Sequence, residues 1–243
     1  IDNVFGESLF PLVDLTVPGL EGTARAAQDE GKLPVLRLRG WNGAPDDPRV
    51  DVSITNAIYT VPATPEGEVP DFDVQEFFAV DPESGEVLQP RWDGADYGFF
   101  REATFFDGDP EQPLLRDDNA YVADRSVVAR LPERVEILFP AQEVGVLVRL
   151  TDAVVVGTLS EDLGTLDDVV VAGRWSILDL LSTAENIGVC RGSESYRILS
   201  GQLDAIADIR STPGTGGDGV ACNAISLGVA FRGYRMRWGG LAE

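Results

Sequence analysis

The sequence contains two cysteines, Cys190 and Cys222, which could form a disulfide or a redox pair. They are too far apart to form a Cys-x-x-Cys redox motif. A disulfide between them would close a loop of about 33 residues, which by the chain-entropy relation stabilises the fold by about 3–4 kcal/mol. We therefore predict a structural disulfide. It would place the protein in an oxidising compartment, which means an extracellular, cell-surface or periplasmic location.

Acidic pairs in turns are the second candidate chemistry. Asp107 with Asp109, and Asp117 with Asp118, present the oxygen ligands that calcium prefers. Neither pair fits the twelve-residue calcium loop of helix–loop–helix proteins. Since the chain has 41 acidic residues, such pairs also arise as ordinary solvated turns. No motif requires a cofactor, and calcium is the one that these loops could take.

Two aromatic residues in a polar loop are the third candidate. Trp92 and Tyr97 lie within the segment Arg-Trp-Asp-Gly-Ala-Asp-Tyr. Exposed aromatic rings on a β surface can stack on sugars, whereas burial in the core is the alternative fate of such rings. The sequence therefore predicts a ligand-binding role for this pair and leaves structural packing as the alternative.

Composition excludes several classes of function. The chain has no histidine, which removes Ser-His-Asp and Cys-His catalysis and the usual zinc sites. Its formal net charge of −22 disfavours nucleic acids and anionic lipid as partners. The sequence contains no run of 18 apolar residues, so no membrane span is predicted, and no signal peptide is visible. Hydrolysis by paired carboxylates needs no histidine and stays open, although no pair of acids is identified.

The candidate residues are positioned by short β-branched segments between turns. The densest apolar region runs from Arg125 to Thr183 and should form the centre of the core. Segments 33–41 and 50–59 alternate apolar and polar residues, which predicts two antiparallel strands with one buried and one solvated face. Beyond Gly233 the apolar positions change parity, which predicts a β-bulge near Arg232–Gly233.

Helical spacing appears in three places. We predict helices from Gly19 to Glu30, ended by Gly31, and from Ser176, as N-cap, to Gly188. A third should span Glu194 to Ile209. The resulting fold is mainly β, an antiparallel β-sandwich or barrel-like domain with two or three peripheral helices. Residues 1–243 form a single domain, in which 188–243 is a disulfide-closed helix-plus-strand subregion.

The segment 172–231 carries a resemblance to a known group. Its residues are Ala-Gly-Arg-Trp at 172–175, Ala-Ile-Ala-Asp-Ile at 205–209 and the run that begins Cys-Asn-Ala-Ile-Ser at 222. These resemble uncharacterised exported bacterial cell-surface proteins of the lipoprotein-like kind. The resemblance implies export and a β-rich fold with a stapling disulfide, and it brings no catalytic residues.

We therefore expect an exported or cell-surface, non-enzymatic protein that acts by binding or as a subunit of an extracellular assembly. Its partner would be another protein or a second copy of the chain. The alternatives are a calcium-dependent or carbohydrate-binding module and a hydrolase that uses paired carboxylates.

Overall fold

Most of the regular structure is β, as expected from the short β-branched segments. The computed structural model describes residues 3–10, 20–32, 34–75, 78–132, 134–139, 146–186 and 188–242. Within them the strands are β1 (Pro34–Arg39), β2 (Asp47–Val61), β3 (Asp73–Gln75), β4 (Phe78–Val80), β5 (Tyr97–Arg101), β6 (Leu115–Ala123), β7 (Ser126–Arg130), β8 (Arg134–Phe139), β9 (Val146–Leu159), β10 (Thr165–Ser176), β11 (Ala224–Tyr234) and β12 (Arg237–Ala242). The α-helices in the same residues are α1 (Leu20–Asp29), α2 (Ile177–Asn186) and α3 (Glu194–Ile206). A π-helical turn (Phe5–Leu9) and two 3-10 turns (Glu102–Thr104 and Phe106–Gly108) complete the helical structure described.

One large mixed sheet organises the strands. Its order is β11-β10-β9-β7-β6-β2-β5-β12, with β1 paired to β2 and β8 paired to β9, while β3 and β4 form a separate two-stranded sheet. The described pairs are antiparallel except for β5 and β12, which run parallel. Because β9 pairs with β8 along its first half and with β7 along its second, the sheet branches at this strand. The prediction of a mainly β fold is confirmed.

The largest core cluster lies between β9, β10 and β11 and the helices α2 and α3. Most of its buried members come from residues 125–183, as predicted. Leu150 and Ile225 are fully buried, and Leu203 of α3 is 1% exposed. The Thr183 hydroxyl of α2 donates to the Leu147 carbonyl oxygen at 2.8 Å, which fixes the helix on β9.

A local hydrogen bond sets the start of α2, and a contact with a distant strand sets the end of α3. The Ser176 hydroxyl accepts the Asp179 N–H at 3.0 Å and donates to the Asp179 carboxylate, so the predicted cap is confirmed. α3 ends at Ile206 rather than Ile209. The reason is that Ile209 forms a β-bridge with Ala224, which requires extended backbone.

The predicted pairing of segments 33–41 and 50–59 is confirmed, because β1 and β2 are antiparallel with Arg39 opposite Asp51. The predicted solvated face of β2 is wrong. Ser53, Thr55 and Tyr59 are at most 5% exposed. β2 is an interior strand, and its Tyr59 packs in an aromatic cluster with the rings of Phe72 and Phe99.

A β-bulge is present beside Arg232, as predicted, but its extra residue lies in the neighbouring strand β10 and not in β11. The register between β10 and β11 shifts where Asp167 and Asp168 together oppose Arg232, so the extra residue belongs to β10. Asp168 has a positive φ of 49°. The change of apolar parity after Gly233 has a different cause, because β11 ends at Tyr234 and the chain then enters β12.

The predicted disulfide is wrong, because Cys190 and Cys222 are both free thiols. Cys190 is exposed and precedes α3. Cys222 is held near the far end of α3, since Ala224 forms its bridge with Ile209. A helix of this length is about 20 Å long, whereas a disulfide needs Cα atoms within about 7 Å. Backbone pairing and the hydrogen bonds from Ser226 to Asp208, at 2.8 Å and 2.7 Å, close the 188–243 subregion instead.

Candidate ligand-binding surface

The parallel pair of β5 and β12 sets the position of an exposed tryptophan, Trp238. In this pair Trp238 lies opposite Gly98, and Leu241 lies opposite Phe100. The Met236 side chain occupies the space that a Cβ atom at Gly98 would need, so the indole does not fill it. The indole instead stacks on the Phe100 ring, with centroids 4.4 Å apart and an interplanar angle of 9°. Phe100 is 3% exposed, so the lower face of the indole rests on a buried ring.

Two further side chains contact the Trp238 indole, one at its edge and one over its ring. The buried Phe105 ring meets it edge-on at 5.9 Å and 74°. The Arg37 guanidinium lies over the indole at 5.5 Å from its centroid. A centroid spacing of 4.4 Å leaves no room for a guanidinium between the two stacked rings, so Arg37 lies towards the outer face. Trp238 remains 41% exposed, so a ligand could reach the part of the fixed indole that Arg37 does not cover.

Charged groups lie beside this platform. Arg37 donates to the Pro110 carbonyl oxygen and to one Glu111 carboxylate oxygen, each at 3.2 Å. Arg39 binds the other oxygen of Glu111 through its Nη1. Arg37 and Arg39 are two residues apart on β1 and therefore lie on the same face of the strand. We call Trp238, Arg37, Arg39 and Glu111 the Trp238 surface, with Phe100 and Phe105 as its base.

The ion pairs continue from this surface along β2 and β6. Arg39 lies 3.6 Å from the Asp51 carboxylate, and Arg116 lies 2.5 Å from the same oxygen. The second Asp51 oxygen is buried and has no hydrogen-bond partner. The group thus combines three arginines with two carboxylates in a chain whose formal net charge is −22. The formal charges of these five side chains sum to plus one.

An open depression adjoins the Trp238 surface and shares Phe105 with it. The depression has a volume of about 460 Å³ and is lined by Arg101, Glu102, Ala103, Phe105, Asp107, Gly108 and Ala242. A volume of this size falls within the range of small-molecule sites. Its charged lining residues could form hydrogen bonds to a polar ligand that extends from the indole.

The aromatic pair predicted from sequence lies elsewhere. Trp92 is half-buried with a φ of 56°, and its backbone N–H donates to the fully buried Asp96 carboxylate at 2.6 Å. Its indole lies 6.1 Å from the Tyr234 ring. The Tyr97 hydroxyl donates to the Gly67 carbonyl oxygen at 2.8 Å. The Arg237 guanidinium covers the Tyr97 ring at 5.5 Å. Both side chains are thus engaged within the chain, and their ligand-binding role stays a prediction.

Sequence reasoning missed Trp238 as a candidate. Its neighbours gave a signal, because Trp238 alternates with Arg235 and Arg237, a pattern typical of a strand with one polar face. Which face is open depends on the pairing of β12 with β5, and the spacing of residues within β12 does not reveal that partner.

The four aspartates predicted as calcium ligands are not gathered into one site. Within the described residues, no group of three or more His, Cys, Asp or Glu side chains is placed to hold a metal ion. Asp107 lines the depression, and the Asp118 carboxylate accepts from the Asn119 amide at 2.7 Å. The Asp117 carboxylate accepts the Arg130 N–H at 2.6 Å.

The fourth aspartate, Asp109, stabilises its own turn. Its carboxylate accepts the Glu111 N–H at 2.9 Å and the Gln112 amide at 2.7 Å. The Glu111 N–H, followed by the Gln112 amide, lowers the pKa of Asp109 below its ordinary value of 3.8. This hydrogen bonding is typical of a polar turn, and it also orients the segment that carries Glu111 towards β1.

No protein-family model matches the chain, and no curated protein or solved structure shows significant similarity to it. Among the residues that the structure describes, no helix has the length and apolar character needed to cross a membrane.

Proposed function

We propose that the protein is an exported or cell-surface binding protein and that the Trp238 surface binds a carbohydrate. The observation that carries this proposal is the exposure of an indole that rests on a buried ring. Trp238 is 41% exposed and stacks on Phe100 at 4.4 Å. Because its orientation is fixed before a ligand arrives, little side-chain entropy is lost on binding.

The chemistry around the indole fits a sugar. The apolar C–H face of a pyranose can lie on the part of the indole that Arg37 leaves exposed, while its hydroxyl groups meet the neighbouring charged donors and acceptors. Arg37 supplies donors and Glu111 supplies acceptors, and both contact each other beside the ring. The adjoining depression of about 460 Å³ offers space for a second sugar unit. This mode of action requires neither a histidine nor a metal.

The proposal of export rests on the resemblance of residues 172–231 to exported cell-surface proteins. The free thiols of Cys190 and Cys222 remove the disulfide as an argument for an oxidising compartment. Fractionation of cells that produce the protein from its natural gene, followed by immunoblotting, tests this part directly. Recovery in the cytosolic fraction alone would contradict it.

Carbohydrate binding is tested with a glycan array followed by titration calorimetry of the strongest ligand. We expect Trp238→Ala to weaken binding about 5- to 150-fold, if the sugar gains from the indole what a stacked nucleobase gains from an aromatic ring, about 1–3 kcal/mol. The matched control is Tyr121→Ala, which removes a ring of β6 that is 43% exposed. Equal loss in both variants, or no loss in Trp238→Ala, would exclude the Trp238 surface as the binding site.

A further inference from the structure

We infer that the carbohydrate is acidic and that one of its carboxylates binds between Arg37 and Arg39, where the Glu111 carboxylate now lies. This inference rests on the proposed function and names the class of ligand. Glu111 bridges the two guanidinium groups, with one oxygen on each. Its position shows that a carboxylate fits between two arginines beside an exposed indole.

The Glu111 carboxylate is readily displaced. Its side chain is 66% exposed, and it follows the turn at Asp109 rather than lying within a strand. Exposed ion pairs contribute little to stability, because water competes for both partners. When Glu111 moves away, Arg37 keeps its contact with Pro110 and remains in place beside Trp238.

The remaining acid of the group does not neutralise both arginines. Asp51 lies closer to Arg116, at 2.5 Å, than to Arg39, at 3.6 Å. Without Glu111, Arg37 and Arg39 would therefore present positive charge next to the aromatic face. Planar guanidinium groups suit carboxylates because they donate two parallel hydrogen bonds.

The formal net charge of −22 does not prevent this binding. At physiological ionic strength, charges more than about 8 Å apart are largely screened. The ligand carboxylate would thus interact mainly with the nearby arginines. A neutral sugar would contact the indole and form hydrogen bonds without an ion pair, so the two arginines confer selectivity for an acidic sugar rather than the whole affinity.

The experiment compares a uronic acid oligomer with its carboxyl-reduced, neutral counterpart on the full chain in 0.15 M NaCl. We expect the acidic oligomer to bind at least tenfold more tightly. Arg39→Gln should abolish this preference by weakening binding of the acidic oligomer much more than binding of the neutral one. Glu111→Gln should raise the affinity for the acidic oligomer several-fold, because the internal competitor is gone.

The control for charge is Glu161→Gln, which makes the same change in the turn between β9 and β10. An equal rise in affinity in Glu161→Gln and Glu111→Gln would overturn the inference, since it would show a long-range charge effect. A preference that survives Arg39→Gln would overturn it as well. Equal binding of a sulfated oligomer would overturn the assignment of a carboxylate, since it would show that the arginines bind any negative charge.

The outcomes separate this inference from the proposal on which it rests. Equal binding of the acidic and neutral oligomers, lost in Trp238→Ala, would keep carbohydrate binding and remove the acidic ligand. Binding of neither oligomer, with no other sugar bound on the array, would overturn both.

Discussion

Gly31 brings the end of α1 against the backbone of β2 at Thr60, and replacing it with alanine tests this packing. Gly31 has a φ of +71° and ends α1. The Lys32 N–H bonds to the Ala27 carbonyl oxygen at 2.8 Å, and the Gly31 N–H bonds to that of Gln28 at 2.9 Å. This pair of hydrogen bonds is the Schellman motif, which favours glycine because the position is left-handed.

The cost of Gly31→Ala has two parts. A left-handed conformation costs a residue with a Cβ atom about 1–2 kcal/mol. The added Cβ would also lie 2.6 Å from both the nitrogen and the Cβ of Thr60. Because the Thr60 nitrogen belongs to the backbone of β2, rotation of a side chain cannot relieve this overlap. Overpacking of this kind costs about 1–3 kcal/mol, so we expect a total loss of about 2–5 kcal/mol.

Gly40→Ala provides the matched control. Gly40 has a φ of +73°, and a Cβ added there meets nothing within 4 Å. It should therefore show only the conformational cost of about 1–2 kcal/mol. The assay is equilibrium unfolding in urea, with free energies compared only if the denaturant slopes agree. Equal losses in the two variants would refute the argument that α1 and β2 meet at the Gly31–Thr60 contact.

Three further predictions concern the edge of the sheet, the thiols and pH. Asn3→Ala should cost about 1–3 kcal/mol and speed hydrogen exchange at Gly228, because it removes two hydrogen bonds to that residue, at 2.8 Å and 3.0 Å. Unchanged protection at Gly228 would contradict this. Addition of a reductant should leave the melting temperature unchanged, since both cysteines are free. A large drop in melting temperature would show that the two cysteines form a disulfide in solution. Backbone N–H groups of their own turns lower the pKa values of Asp81 and Asp162 below 3.8. The stability from these bonds should be complete above pH 3.8 and lost as the pH falls through the lowered values. NMR titration midpoints at or above 3.8 would show that the turns do not form in solution.

The features that could be predicted from the sequence depend on neighbours in the chain. Gly31 and Ser176 were recognised as helix boundaries because their hydrogen-bond partners lie within a few residues. The antiparallel pairing of β1 and β2 followed from their alternating pattern and the short connection between them. In each case the physical cause is local, so a single sequence is sufficient.

The features that were missed depend on contacts between distant segments. The helix between Cys190 and Cys222 was predicted, but the disulfide was wrong because the Ile209–Ala224 bridge holds Cys222 at the end of α3 that is remote from Cys190. The solvated face of β2 was wrong because Tyr59 meets Phe72 and Phe99 from other strands and loops. The alternation of apolar and polar residues along one strand does not show whether other segments will cover its polar face.

The Trp238 surface is the clearest case of this dependence. Arg37 and Glu111 are 74 residues apart, and Trp238 lies on the last described strand. They come together because β12 pairs in parallel with β5 and places the indole on Phe100, next to β1. Any ligand of this surface would bind only the chain in which β12 has paired. Binding should therefore stabilise that pairing by mass action, which makes the last strand the element through which ligand binding and folding are coupled.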